Sequence, residues 1–126
     1  LMSRNADILL EWGGEERLFR LGWGELEKLQ ESCDAGPFFI LSALMNNSAR
    51  LEYISEVICW GLVGGGEPLP QALKLVSLYI KDRPLVENLL TAQLVLAAAV
   101  HGVDDEQDDG DDADGGADKK KTQGEG

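Results

Sequence analysis

Two thiols, one imidazole, a glycine triplet and a run of aspartates are the residues here whose types could do chemistry, and their spacing decides how much. Cys33 and Cys59 have no CxxC spacing and His101 is the single histidine. A zinc site takes about four nitrogen or sulfur ligands, so none is expected. Cys59 falls within a hydrophobic stretch, where a buried, inert thiol is the expected state. His101 sits at the end of an apolar run with no nucleophile beside it. Gly64-Gly65-Gly66 would suit a phosphate loop only after a strand and before Lys-Ser/Thr. Here Glu67-Pro68 follows, so a flexible turn between helices is expected instead. The aspartates from Asp104 onward invite a calcium reading. Counting from Asp105, Gly110 falls at position six of an EF-hand loop, but position twelve, which needs a bidentate Glu, is Gly116. The expected site list therefore has no catalytic residue, no metal ligand and no cofactor, and the chain is not expected to be an enzyme. Trp12, Trp23 and Trp60 are of the type that anchors a protein partner, or else of part-buried aromatics where a hairpin meets helices.

The element that must organise these residues runs from Ser48 to Pro70. Leu51, Ile54, Val57, Ile58 and Leu62 recur at helical spacing, and Ser48 is a candidate cap for the first turn. The glycine triplet supplies a conformation that stops a helix, and Pro68 and Pro70 start the next one. Upstream, 6–12 and 15–21 read as strands joined by Gly13-Gly14, two residues suited to a tight hairpin turn. An isolated hairpin is marginal in water and must lie on a helical layer or borrow a strand.

Glu25 to Cys33 is a strong helix former with Leu26 and Leu29 on one side, ended by Gly36-Pro37. Pro37 to Met45 is dense in apolar residues; a short buried helix is expected, although periodicity over so short a run does not exclude a strand. Leu69 to Lys81 is helical with a stripe of Ala72, Leu73, Val76, Tyr79 and Ile80. After Asp82-Arg83-Pro84, Leu85 to Val100 forms the last helix. Leu85, Leu89, Ala92, Leu96 and Ala99 share a face, Leu90 and Val100 widen it, and Glu87, Asn88, Thr91 and Gln93 make a thin polar side. So apolar a helix is either central to the core or half covered by a partner.

The fold class expected is mainly α: an N-terminal β-hairpin followed by about five short helices in a compact bundle over residues 1–102, with a disordered acidic tail over residues 103–126. Of the 126 residues, those before Val103 are enough for a core without staples. The net charge is −12. Ten acids and three lysines from Val103 onward account for −7, and thirteen acids against eight bases leave −5 on the body. That balance disfavours nucleic acid, where affinity comes largely from Lys and Arg on phosphates. The tail has almost no large apolar side chains to repay ordering; it is a solubiliser, or an attraction for a basic partner. No signal peptide and no apolar run of about 18 residues is present, so no membrane partner is expected. Reduced thiols place the chain in the cytoplasm. Leu1 before Met2 suggests an altered start and is left out of the fold reasoning.

The order of these parts resembles a known family. RLFRLGWGELEKLQE ends a two-strand unit, ISEVICWGLVGGG follows, and then ALKLVSLYIKDRPLVENLLTAQLVLAAAVHG. This is similar to the gene transfer agent family of small phage tail proteins, described as tail-tube-associated proteins or tail assembly chaperones, over roughly Asp7 to Gly102. Its most specific pieces are Gly61 to Gly66, the Arg83-Pro84-Leu85 break and the Ala-rich helix ending at Gly102; the Asp-rich tail is outside the pattern. The resemblance implies a non-enzymatic chaperone in the bacterial host cytoplasm that coats the tape-measure protein and recruits tail-tube protein. The candidate contact residues are Trp60, Tyr79, Leu85, Leu89 and Leu96, with the last two helices facing the partner and the hairpin edge serving self-association or tube-protein contact. The competing readings are a structural tail component kept in the particle and a small acidic regulator that blocks a basic partner.

Overall fold

The computed structural model describes residues 4–104. A two-residue strand β1 (Arg4–Asn5) is followed by the hairpin β2 (Ile8–Trp12) and β3 (Glu15–Phe19). Five helices follow, α1 (Trp23–Cys33), α2 (Pro37–Met45), α3 (Leu51–Gly64), α4 (Leu69–Tyr79) and α5 (Val86–His101), and then β4 (Val103–Asp104). β1 pairs antiparallel with β4, Arg4 opposite Asp104, which brings the two ends of the folded unit together. The hairpin and five helices are as expected from periodicity and turn chemistry. The disorder expected from Val103 onward does not hold for Val103 and Asp104, which pair with β1; the rest of that reading and the calcium reading fall on residues 105–126, outside those described.

Gly13 and Gly14 both have positive φ, at 64° and 87°, the backbone a two-residue hairpin turn needs. The hairpin register, Ile8 opposite Phe19 and Trp12 opposite Glu15, sends Ile8, Leu10, Trp12, Arg17 and Phe19 inward, and leaves Leu9, Glu11, Glu16 and Leu18 exposed. The inward face meets its helical layer through β3 on α3 and β2 on α5.

α3 is the hub, touching α1, α4, α5 and β3. Ile54, Val57, Ile58 and Leu62 of its expected stripe are buried, but Leu51 is exposed in the first turn. Ser48 does not cap it. The residue before the first turn is Arg50, whose Nη2 lies 2.8 Å from Glu52 Oε2. Ser48 instead helps close α2: Asn47 takes a left-handed φ of 63°, and Ser48 N–H donates to Ala43 O at 3.0 Å. Gly36-Pro37, expected to end α1, opens α2; α1 ends earlier, at a left-handed Asp34.

The glycine triplet differs most from expectation. Only Gly66 has positive φ, at 117°. Gly64 and Gly65 are pressed against the chain leaving the hairpin. A Cβ on Gly64 would lie 1.8 Å from Arg20 O, and one on Gly65 2.0 Å from Leu18 O. Beside them, Arg20 N–H donates to Gly61 O at 2.9 Å. This is a backbone-to-backbone seat for β3, not a flexible turn. It holds Phe19 and Leu21 in the core, where both are almost fully buried.

Candidate functional site

The two thiols, the most reactive side chains in the sequence, are sequestered in the fold, while His101 is exposed. Cys33 and Cys59 are buried and unpaired, and burial pushes both thiols up to about 11. A thiol so raised is a poor nucleophile near neutral pH. Among the described residues there is no group of three or more His, Cys, Asp or Glu placed to hold a metal ion. None of the described helices is long and apolar enough to cross a membrane.

The buried polar chemistry serves the fold. Trp12, 6% exposed, donates its indole N–H to Asn88 Oδ1 at 2.7 Å, and Asn88 Nδ2 donates to Tyr79 O at 3.0 Å. Asn88 was expected on the polar side of α5, yet it is buried, because it alone answers both groups between the hairpin and the turn after α4. Trp12 also meets Phe19 and Tyr79 edge to face, with centroids 6.1 and 5.4 Å apart. The Arg17 guanidinium sits 5.9 Å from the Trp12 ring, and its Nε donates to Trp12 O.

The five candidate contact residues separate. Leu96 is fully buried and belongs to the core, so it offers no surface to a partner in this fold. Its place on the shared face was read correctly, but that face looks inward, toward α3 and α2. Leu89 is half-buried against the core. Tyr79 is half-buried over the hairpin turn, its ring carbons 3.1 Å from where a Gly13 Cβ would stand. Trp60 is half-buried, its indole N–H donating to Glu56 Oε1 at 3.0 Å. Leu85 alone of the five is well exposed.

The outward apolar surface is built from other residues. On α5, Val86, Leu90 and Leu94 follow one another at four-residue steps and are exposed, Val86 to 73% and Leu90 to 62%. Val95 and Ala98, not Ala99, join Ala92 and Leu96 inside. On α4, Leu73 of the expected stripe is exposed together with Leu69 and Leu78, while Leu75 takes its place in the core. Between α3, the turn after α4 and the start of α5 lies a hollow of about 330 Å³ that includes Leu51, Ile54, Ile80, Arg83, Leu85 and Asn88. Arg83 is drawn to Glu87 at 2.8 Å on its rim.

A second apolar surface centres on Trp23, one of the three tryptophans the sequence offered as partner anchors, although the groove around it was not foreseen. α1, α2 and the end of α5 enclose a groove of about 300 Å³ lined by Trp23, Leu26, Glu27, Gln30, Pro37, Phe38, Ala99 and Val100. Trp23 opens α1 and is 81% exposed; Phe38, in the first turn of α2, is 76% exposed. The expected burial of α2 holds for Ile40, Leu41, Ala43 and Leu44 but not for Phe38, Phe39 and Met45. Its residues are apolar on every side, so only its neighbours could decide which face went in. An exposed Trp beside an exposed Phe is the signature of a contact surface, since exposed large apolar side chains grouped together cost solubility.

Among the described residues the exposed large apolar side chains therefore gather on α4, on α5 and around the groove between α1, α2 and the end of α5. A family model described as phage tail tube protein, GTA-gp10, matches residues 5–102. No curated protein and no solved structure matches the chain.

Proposed function

The chain belongs to the phage tail tube protein, GTA-gp10, family, and from that membership we propose that it is a non-enzymatic tail assembly chaperone acting in the bacterial host cytoplasm. Its work is to hold the apolar helices of the tape-measure protein and keep them from aggregating while tail-tube protein is recruited.

The observation that carries this reading is the large apolar side chains left exposed on each of the last two helices, Leu69, Leu73 and Leu78 on α4 and the Val86, Leu90 and Leu94 stripe on α5, with Leu85 at the turn between them. These are large side chains left in water by a domain with a full core. Burying each against a partner would release roughly 1.5–3 kcal/mol before the losses of association are counted. Amphipathic helices commonly bind by laying an apolar stripe on such a surface.

The test is co-expression of the full chain with the tape-measure and tail-tube proteins of the same tail system. The expected result is a soluble complex with the tape-measure protein, lost in Val86→Ser/Leu90→Ser. No complex with either tail protein overturns the reading. The family's description favours a second reading, a structural tail component retained in the particle. Protein analysis of purified particles separates the two: a chaperone is absent or far below the copy number of the tube protein, a component is stoichiometric.

A further inference from the structure

We propose that the groove between α1, α2 and the C-terminal end of α5 is a docking site for an amphipathic helix whose apolar stripe is flanked by lysines and arginines. The site is separate from the large exposed side chains of α4 and the α5 stripe, and the inference does not depend on the chaperone reading.

Trp23 and Phe38 form two exposed walls of the groove, and its floor is aliphatic. At about 300 Å³ it has room for one or two large side chains of a guest, the anchors of a helix rather than a whole cofactor. Its charge says which helix. Glu27 stands on the lining, and with Gln30 it joins a neighbouring polar hollow that adds Glu31 and Lys28. The α5 wall ends at Val100, and the chain leaves the described residues at Asp104, the first of ten acids that stand with three lysines between there and Gly126. A guest in the groove therefore lies next to the origin of the most negative stretch of the protein. Opposite charge there speeds encounter and selects partner and register.

The sequence disfavours the other two occupants. The chain's own C-terminal segment offers only Val103, Ala113 and Ala117 as apolar side chains after Gly102, none large enough to engage a Trp and a Phe together. A second copy docked through the same surface would set Glu27 and Glu31 against their own counterparts, acid against acid. A basic-flanked helix satisfies both the walls and the field.

The test uses the full chain and two synthetic helical peptides of about 18 residues, one patterned from leucine and lysine, the other with each lysine replaced by glutamate. Binding is followed by the NMR signal of the Trp23 indole N–H. The leucine–lysine peptide is expected to shift that signal and to bind about tenfold or more tighter than the glutamate peptide. Trp23→Ser/Phe38→Ser should weaken it by about tenfold or more with the melting temperature unchanged, because both side chains are already in water. Glu27→Gln/Glu31→Gln should weaken it several-fold and flatten its salt dependence. Leu90→Ser should leave it intact. Equal binding of the two peptides, binding that survives Trp23→Ser/Phe38→Ser, or shifts confined to the exposed side chains of α4 and the Val86, Leu90 and Leu94 stripe of α5 would overturn the assignment. Because those side chains are tested with tail proteins and the groove with peptides, either reading can fail without the other.

Discussion

Replacing Gly64 by alanine adds one methyl group to a helix, a change that ordinarily stabilises. Within a helix, Gly→Ala gains roughly 0.5–1 kcal/mol. At Gly64 the new Cβ would stand 1.8 Å from Arg20 O and 2.8 Å from the carbonyl carbon. An ordinary carbon–oxygen contact begins near 3.3 Å, so one backbone must retreat by about 1.5 Å. The retreat would break the Arg20 N–H to Gly61 O hydrogen bond, worth about 1 kcal/mol net. It would also loosen the packing of Phe19 and Leu21, and overpacking of this kind costs about 1–3 kcal/mol or more. Against the propensity gain, a net loss of about 1–3 kcal/mol or more is expected, a large share of the roughly 5–15 kcal/mol available to a domain. Urea unfolding followed by far-UV circular dichroism measures it. Gly24→Ala is the control: nothing lies within 4 Å of its Cβ, so it should be neutral or stabilising by up to about 0.5–1 kcal/mol. Gly65→Ala should behave like Gly64→Ala, with Leu18 O at 2.0 Å. Gly66→Ala meets open space but should still lose about 1–3 kcal/mol, for its φ of 117°. If Gly64→Ala unfolds at the wild-type urea concentration while Gly24→Ala behaves as stated, the close approach of α3 to β3 is refuted.

Other perturbations separate core from surface. Asn88→Ala leaves the Trp12 indole N–H and the Tyr79 carbonyl without their partner, and should destabilise by about 2–4 kcal/mol in urea, read by tryptophan fluorescence. Leu96→Ala removes a fully buried side chain and should lose about 2–5 kcal/mol, whereas Leu90→Ala, on the exposed face, should stay within about 0.5 kcal/mol of wild type. Both thiols are raised by burial from 9.0 to about 11, so the fold disfavours their thiolates. The stability this represents is fully present below pH 9 and is lost as pH rises through 11. Thermal melts across that window should show a decline that shrinks in a Cys33→Ala/Cys59→Ala variant measured against its own value at pH 7.

Periodicity and punctuation in the sequence determined the parts list. Gly13-Gly14 between two alternating runs made the hairpin, because only residues tolerant of positive φ turn a chain so tightly. Pro37, Pro68 and Pro70 marked helix starts, and apolar steps of three and four residues located α3 and α4 within a few residues. Those signals are local, carried by residues a turn or two apart.

Which way each element faces was decided by the tertiary structure. α2 and α5 are apolar around most of their circumference, so their own patterns leave the buried side open. Packing of α3, α2 and the hairpin against α5 sent Val95 and Leu96 inward and left Val86 and Leu90 in water. The bond from Trp12 to Asn88 spans 76 residues of sequence, and a polar residue looks solvated until the partner that desolvates it arrives. Gly64 looked like a stop signal because the Arg20 carbonyl that forbids its Cβ is far away along the chain. Helical period states that a stripe exists; only contact between distant segments states what the stripe is against.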